Sequence, residues 1–123
     1  MKNEKIILGE KSLWELVENL NWSLDHDFRR IESELMLMDL DISNQIHEFT
    51  ELKRNEIYSQ YEEDWLGDPG IGVSDDGWSD LTAEVVGRGK NFYENISVKK
   101  LQQMVSSDNY HENFMYSFHF LYD

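Results

Sequence analysis

The residues whose types could do chemistry fail one by one on spacing. Gly87-Arg88-Gly89-Lys90 has the look of the end of a phosphate-cradling loop. The upstream glycine position, however, holds Glu84, and Asn91 follows the lysine where a metal-binding Ser or Thr is required. His111-Glu112 has no second His four positions after the first, so the helical zinc-hydrolase pattern is absent. His26 lies between Asp25 and Asp27, an arrangement that would polarise an imidazole or help hold a metal, but a solvated helix face explains the same trio more simply. Asp68, Ser74, Asp75 and Asp76 flank a glycine-rich stretch and offer hard oxygen ligands. They lack the alternating acids and terminal Glu of a calcium loop, so caps and turn bonds are the expected role. No spacing singles out a carboxylate pair for acid–base work among the 25 acids. The sequence therefore assigns no catalytic residue, no metal ligand and no cofactor.

The distribution of charge is more informative. Lys and Arg total 11 against 25 Asp and Glu, a formal charge of −14. Phosphate binding needs a surplus of cations to displace counterions, so nucleic acid and anionic lipid are expected to be repelled. Between Arg54 and Arg88 there is no base, while nine acids occur: Glu56, Glu62, Glu63, Asp64, Asp68, Asp75, Asp76, Asp80 and Glu84. Tyr58, Tyr61, Trp65 and Trp78 are interleaved with them. Carboxylates steer association with a basic protein, and buried Tyr or Trp supply binding energy. The expected binding face is thus Glu62, Glu63, Asp64, Asp68, Asp75 and Asp76, anchored by Tyr61 and Trp65. The alternative is that the aromatics belong to the core and the acids maintain surface polarity.

Those residues need a scaffold, and 123 residues suit a single domain spanning 1–123. Four Trp, six Tyr and six Phe set the chain apart from disordered acidic sequences. There is no Cys, which removes disulfides and thiolate chemistry. Residues 1–10 hold only three consecutive apolar positions, Ile6 to Leu8, too few for a secretion signal, and no stretch approaches the ~18 apolar residues of a membrane span. These features point to the cytoplasm.

Six of the seven Gly and the lone Pro69 fall between 67 and 89, and residues 10–66 contain neither type. Such a run predicts helix. Ser12-Leu13-Trp14-Glu15 has the form of a capping box that would start it, with Trp14, Val17 and Leu20 or Asn21 on one face. A single helix of that length would exceed the width of the domain, so breaks are expected at Asn21–Asp25 and Asp39–Asn44. Phe28, Ile31, Leu35 and Met38, then Ile42, Ile46, Phe49, Leu52, Ile57 and Tyr61, form amphipathic stripes. Residues 67–74 read as a loop. After it come a helix carrying Trp78, Leu81, Val85 and Val86, capped by Ser74, Asp75 or Asp76, a turn at Gly87 and Gly89, a short helix with Phe92, Tyr93 and Ile96, and a helix from Val98 to Ser106 capped by Ser97. Phe114, Tyr116, Phe118, Phe120 and Tyr122 alternate like a strand, yet Tyr110, Phe114 and Phe118 are also spaced for a helix that Asn109 and Glu112 would cap. A lone strand has no partner for its amides, which favours helix. The prediction is an all-α bundle of about six helices with a Gly/Pro loop at 67–74.

Ser74-Asp75-Asp76-Gly77-Trp78, followed by Val86-Gly87-Arg88-Gly89 and Phe92-Tyr93-Glu94, resembles the central signature of a family of uncharacterised bacterial proteins. That domain of unknown function is sometimes found beside tryptophan-glycine-arginine domains. Leu13-Trp14-Glu15-Leu16-Val17 is similar to the family's opening, and 46–61 occupies the place of its second conserved helix. The resemblance spans roughly residues 12–122. It departs at Val86, where the family is more aromatic, and at the extra Gly89. It implies a mostly helical domain with a helical C-terminus, Asp75 and Asp76 capping the Trp78 helix, Gly87 allowing close helix approach or positive φ, and Arg88 held by a carboxylate. It implies no reaction.

The functional expectation is a non-enzymatic acidic protein that masks a basic protein partner, such as a bacterial immunity protein inhibiting a nuclease-type toxin. A phage-type DNA mimic and a metal-dependent hydrolase using the loop carboxylates are the alternatives.

Overall fold

The computed structural model describes residues 2–20, 27–65, 71, 73–107, 110 and 113–122. Seven α-helices and a closing 3-10 turn account for most of them, and no strand occurs among the described residues. The chain is an all-α bundle.

Helix α1 covers Lys2–Leu20 and therefore begins ten residues before the Ser12 capping box. The pattern misleads because the Lys, Glu, Ile and Leu that precede Ser12 are themselves helix-compatible, so the helix runs straight through. Leu13, Trp14, Leu16 and Val17 are buried, and Leu20 packs at the core margin. The expected break at Asn21–Asp25 lies outside the described residues. The next described helix, α2 (Phe28–Leu37), starts with Asp27 as N-cap, whose carboxylate accepts from the Arg29 amide at 3.0 Å.

The second break falls at Met38-Asp39, where Met38 turns to extended backbone. Helix α3 (Leu40–Trp65) follows directly, so 41–44 are helical instead of interrupting the helix. Ser43 serves the junction differently. Its buried hydroxyl donates to the Leu35 carbonyl at 2.6 Å, a second donor beside the Met38 amide at the end of α2. Ile46, Phe49, Ile57 and Tyr61 form the inward stripe of α3, but Leu52 is exposed, and Thr50, Lys53 and Arg54 lie closer to the neighbouring helices.

Helix α4 (Asp75–Gly87) is the centre of the molecule. Trp78, Leu81, Thr82, Ala83, Glu84, Val85 and Val86 have no solvent exposure, the mark of a helix surrounded on every side. Ser74 is its N-cap, accepting from Gly77 N at 3.2 Å, while Asp75 and Asp76 are the first two helical residues and not the cap. Asp76, in the first turn, puts a negative charge by the positive end of the helix dipole. The turn beyond α4 is made by Gly89, whose φ of 102° is open to glycine and costly for other residues. The left-handed position is thus Gly89; Gly87 is the last residue of α4.

Two short helices follow, α5 (Lys90–Glu94) and α6 (Val98–Ser106), the second capped by Ser97, which accepts from Lys100 N at 3.2 Å. The C-terminal segment is helical: α7 (Asn113–Tyr116) leads into a 3-10 turn at His119–Tyr122. Phe114 and Phe118, four residues apart, are fully buried with ring centroids 5.8 Å apart, whereas Tyr122 is exposed. Helical spacing, not alternation, decides which aromatics enter the core. The expected Asn109–Glu112 cap lies outside the described residues. Ser117 Oγ donates to Phe28 O at 3.2 Å and ties this segment to α2. No helix among the described residues is long and apolar enough to cross a membrane.

Candidate functional site

The few bases near the acidic window are drawn inward. Arg54 spends its guanidinium inside the fold: Nη1 donates to Glu51 at 2.8 Å, Nε to Thr82 at 3.1 Å, and Nη2 to the Ser79 hydroxyl at 2.7 Å and carbonyl at 3.1 Å. That fork fastens α3 to α4. Lys53 sits over the rings of Phe49 and Tyr93, at 5.0 and 5.2 Å, and reaches Glu56 at 3.2 Å. Glu56 also accepts from the Tyr93 hydroxyl. Burial, reinforced by this carboxylate, holds the Tyr93 hydroxyl well above the ordinary phenol range.

Arg88 caps the C-terminal end of α4 and pairs with the fully buried Glu84 at 3.0 Å, while its guanidinium stacks 5.0 Å from the Phe92 ring centre. Arg88 is thus held by a carboxylate, and the acid is Glu84 rather than an Asp. The turn that resembled a phosphate loop is a helix-to-helix connection. Glu56 and Glu84, both members of the acidic window, find bases, Lys53 and Arg88, just outside its ends. A window without bases of its own thus still draws on the bases that flank it.

The predicted face divides into three parts. Glu62 is exposed near the end of α3, and Asp76 is exposed in the first turn of α4. Tyr58 packs edge-on against Trp78 at 5.4 Å, and Arg54 reaches Ser79 and Thr82, so α3 and α4 run antiparallel here. The Glu62 end of α3 and the Asp75-Asp76 start of α4 are therefore brought to the same end of the bundle. Glu63, Asp64 and Trp65 belong to the last turn of α3 and Asp75 opens α4; their side chains, like Asp68 as a whole, lie outside the described residues. Tyr61 is a correction. It is buried, and its hydroxyl donates to Ile96 O at 3.2 Å, so it supports the fold from within and offers no anchor to a partner. Trp78 is likewise core.

Of the histidines, His26 and His111 lie outside the described residues. His119 is exposed, with its ring 4.9 Å from Tyr116. His47, on α3, is half-buried against Phe118 and makes a 2.6 Å hydrogen bond through Nε2 with the Tyr122 hydroxyl. Burial lowers its pKa below 6.5; Glu51 and Glu48 oppose that shift and Arg54 adds to it. Among the described residues, no three His, Asp or Glu side chains gather closely enough to hold a metal ion.

One surface feature was missed at the sequence level. Met36, Leu37 and Leu40 are exposed at the α2–α3 corner. The signal was present in Leu35-Met36-Leu37-Met38, four consecutive apolar residues, more than one face of a helix can bury.

An acidic all-α bundle with a surplus of exposed carboxylates is the class of protein this geometry defines. No protein-family model, curated protein or solved structure matches the chain.

Proposed function

We propose that the chain is a binding protein that neutralises a basic protein partner, in the manner of a bacterial immunity protein bound to a nuclease-type toxin. The observation that carries this reading is the balance of exposed charge. Lys53, Arg54 and Arg88 are each satisfied internally by a carboxylate or a ring, whereas Glu15, Glu18, Glu34, Asp39, Asp41, Glu48, Glu62 and Asp76 are exposed. Among the described residues these acids, with Glu56 and Glu94, outnumber the exposed bases Lys11, Arg29, Arg30, Lys90 and Lys99 by two to one. A field of this sign accelerates encounter with a basic surface. Membership in the uncharacterised bacterial family suggested by the Ser74–Trp78 signature is part of the same proposal.

Co-expression with the product of an adjacent gene, followed by affinity purification and growth rescue, tests the reading. The expected result is a stable complex and restored growth; no binding to either neighbouring gene product and no rescue would overturn it. Within such a complex, reversal of Glu62, Glu63, Asp64, Asp68, Asp75 and Asp76 to Lys should slow association and flatten its dependence on salt. Unchanged association kinetics would mean that the partner sits on another face.

A further inference from the structure

Binding steered by charge alone is fast but weak, and tight interfaces add desolvated apolar anchors. With Tyr61 and Trp78 in the core, the Glu62–Asp76 end has no such anchor among its described side chains. The α2–α3 corner has three. Met36, Leu37 and Leu40 are 61 %, 82 % and 64 % exposed, and they fall within five positions of one another. Beside them, α1 and α2 enclose a cleft of about 340 Å³ with Leu16, Leu20 and Met38 as its apolar lining and Glu15, Asn19 and Glu34 as its polar one. Met38 continues the chain from the corner into the cleft.

The charge around this apolar patch specifies what covers it. From Ile31 to Leu52 there is no Lys or Arg, and six acids occur: Glu32, Glu34, Asp39, Asp41, Glu48 and Glu51. Glu34, Asp39 and Asp41, which alternate with the apolar positions, are exposed, as is Glu15 across the cleft. A second copy of the chain would bring these carboxylates against their own kind, and an anionic lipid surface would be repelled in the same way. The complementary occupant is apolar on one face and cationic beside it.

We propose that the α2–α3 corner and the adjoining α1–α2 cleft dock a basic amphipathic helix of the partner protein. Its apolar face covers Leu37 and Leu40 and enters the cleft, and its flanking Lys or Arg residues meet Glu15, Glu34, Asp39 and Asp41. This rests on the reading of the chain as a binder of basic proteins, and it moves the energetic centre of that surface away from the Glu62–Asp76 end.

The test uses fluorescence anisotropy with two labelled synthetic peptides. One alternates Leu and Lys at helical spacing; the other has the same Lys positions with Ser in place of Leu. The full chain is compared with Leu37→Ser/Leu40→Ser, whose altered positions are exposed, and with Glu62→Lys/Asp76→Lys, all checked for helicity by circular dichroism. The expected result is tighter binding of the Leu/Lys peptide, weakened roughly 10- to 100-fold by the corner substitutions and by a clearly smaller factor by Glu62→Lys/Asp76→Lys, which acts through the long-range field alone. Equal binding of both peptides, insensitive to the corner and lost with Glu62→Lys/Asp76→Lys, would overturn this placement and leave the general reading standing. Binding of neither peptide at low ionic strength would overturn both. Self-association in sedimentation velocity that disappears in Leu37→Ser/Leu40→Ser would assign the corner to a second copy and overturn the basic helix.

Discussion

Glu84 is 0 % exposed, and its carboxylate is accommodated inside the bundle because the Arg88 guanidinium lies one helical turn away at 3.0 Å. Removing only the cation leaves a buried charge with its main partner gone, so Arg88→Met should cost about 3–5 kcal/mol in urea unfolding. Removing both charges with residues of similar volume, as in Glu84→Leu/Arg88→Met, should cost clearly less. A double variant at least as damaged as Arg88→Met would show that the pair does not act as a unit. His47 makes a second residue-level prediction, this time in pH. Burial depresses its folded pKa below 6.5, so as pH falls the unfolded chain takes up the proton first. The neutral ring's contribution is therefore complete above pH 6.5 and is lost as pH falls from 6.5 through the folded value. The charged or titratable groups acting on the ring are Glu48, Glu51 and Arg54 on α3 and Tyr122 from the C-terminal turn. Subtracting the stability profile of His47→Gln from that of the native chain should leave a slope in that window, positive with rising pH. A flat difference would mean that the ring is solvated as freely as in the unfolded chain.

Helices meet where side chains permit, and α1 crosses α3 at a glycine. A Cβ added at Gly9 would stand 2.7 Å from the Gln45 carbonyl oxygen and 3.1 Å from its carbon, both backbone atoms of α3. Helix propensity favours Gly9→Ala by up to ~1 kcal/mol, but a rigid backbone leaves the new methyl no room. The clash should win, lowering the urea midpoint; a raised midpoint would mean that the two helices separate without cost. No feature of the sequence marked Gly9 as a contact, since a contact between distant segments leaves no local pattern. What was legible was what repeats locally. The 31–35 and 46–61 stripes follow the helical period, and the Ser74 and Ser97 caps use side-chain oxygens beside their own helices. Helix α4 was legible as a helix but not as the centre, because burial on all sides erases amphipathicity. The acidic window was readable as composition. Which carboxylates it would lose to Lys53 and Arg88 was readable only as i,i+3 and i,i+4 spacings across its ends, and Tyr61, offered both as an anchor and as the end of the α3 stripe, belongs to the stripe.

At the scale of the whole molecule, the sign of the salt dependence is the most general prediction of a charge of −14. A chain of this length has a radius of gyration of about 14 Å. At about 0.01 M ionic strength the screening length is ~30 Å, so carboxylates on opposite sides of the bundle repel one another; near 0.15 M it falls to ~8 Å and the repulsion becomes local. The internal pairs are largely shielded from this effect, since Glu84 is fully buried and Arg54 and Arg88 are mostly covered. Added sodium chloride should therefore raise the unfolding midpoint across that range, read from helical circular dichroism, with chloride chosen because sulfate would strengthen apolar burial in its own right. A falling midpoint would mean that attraction between surface pairs outweighs net repulsion, and the surplus of exposed carboxylates would lose its significance. Binding to a basic partner must respond in the opposite sense, because salt screens the attraction that steers encounter. The same surplus of carboxylates thus loosens the free bundle and favours the complex, so a basic partner should raise the midpoint most where the free chain is weakest, at low ionic strength.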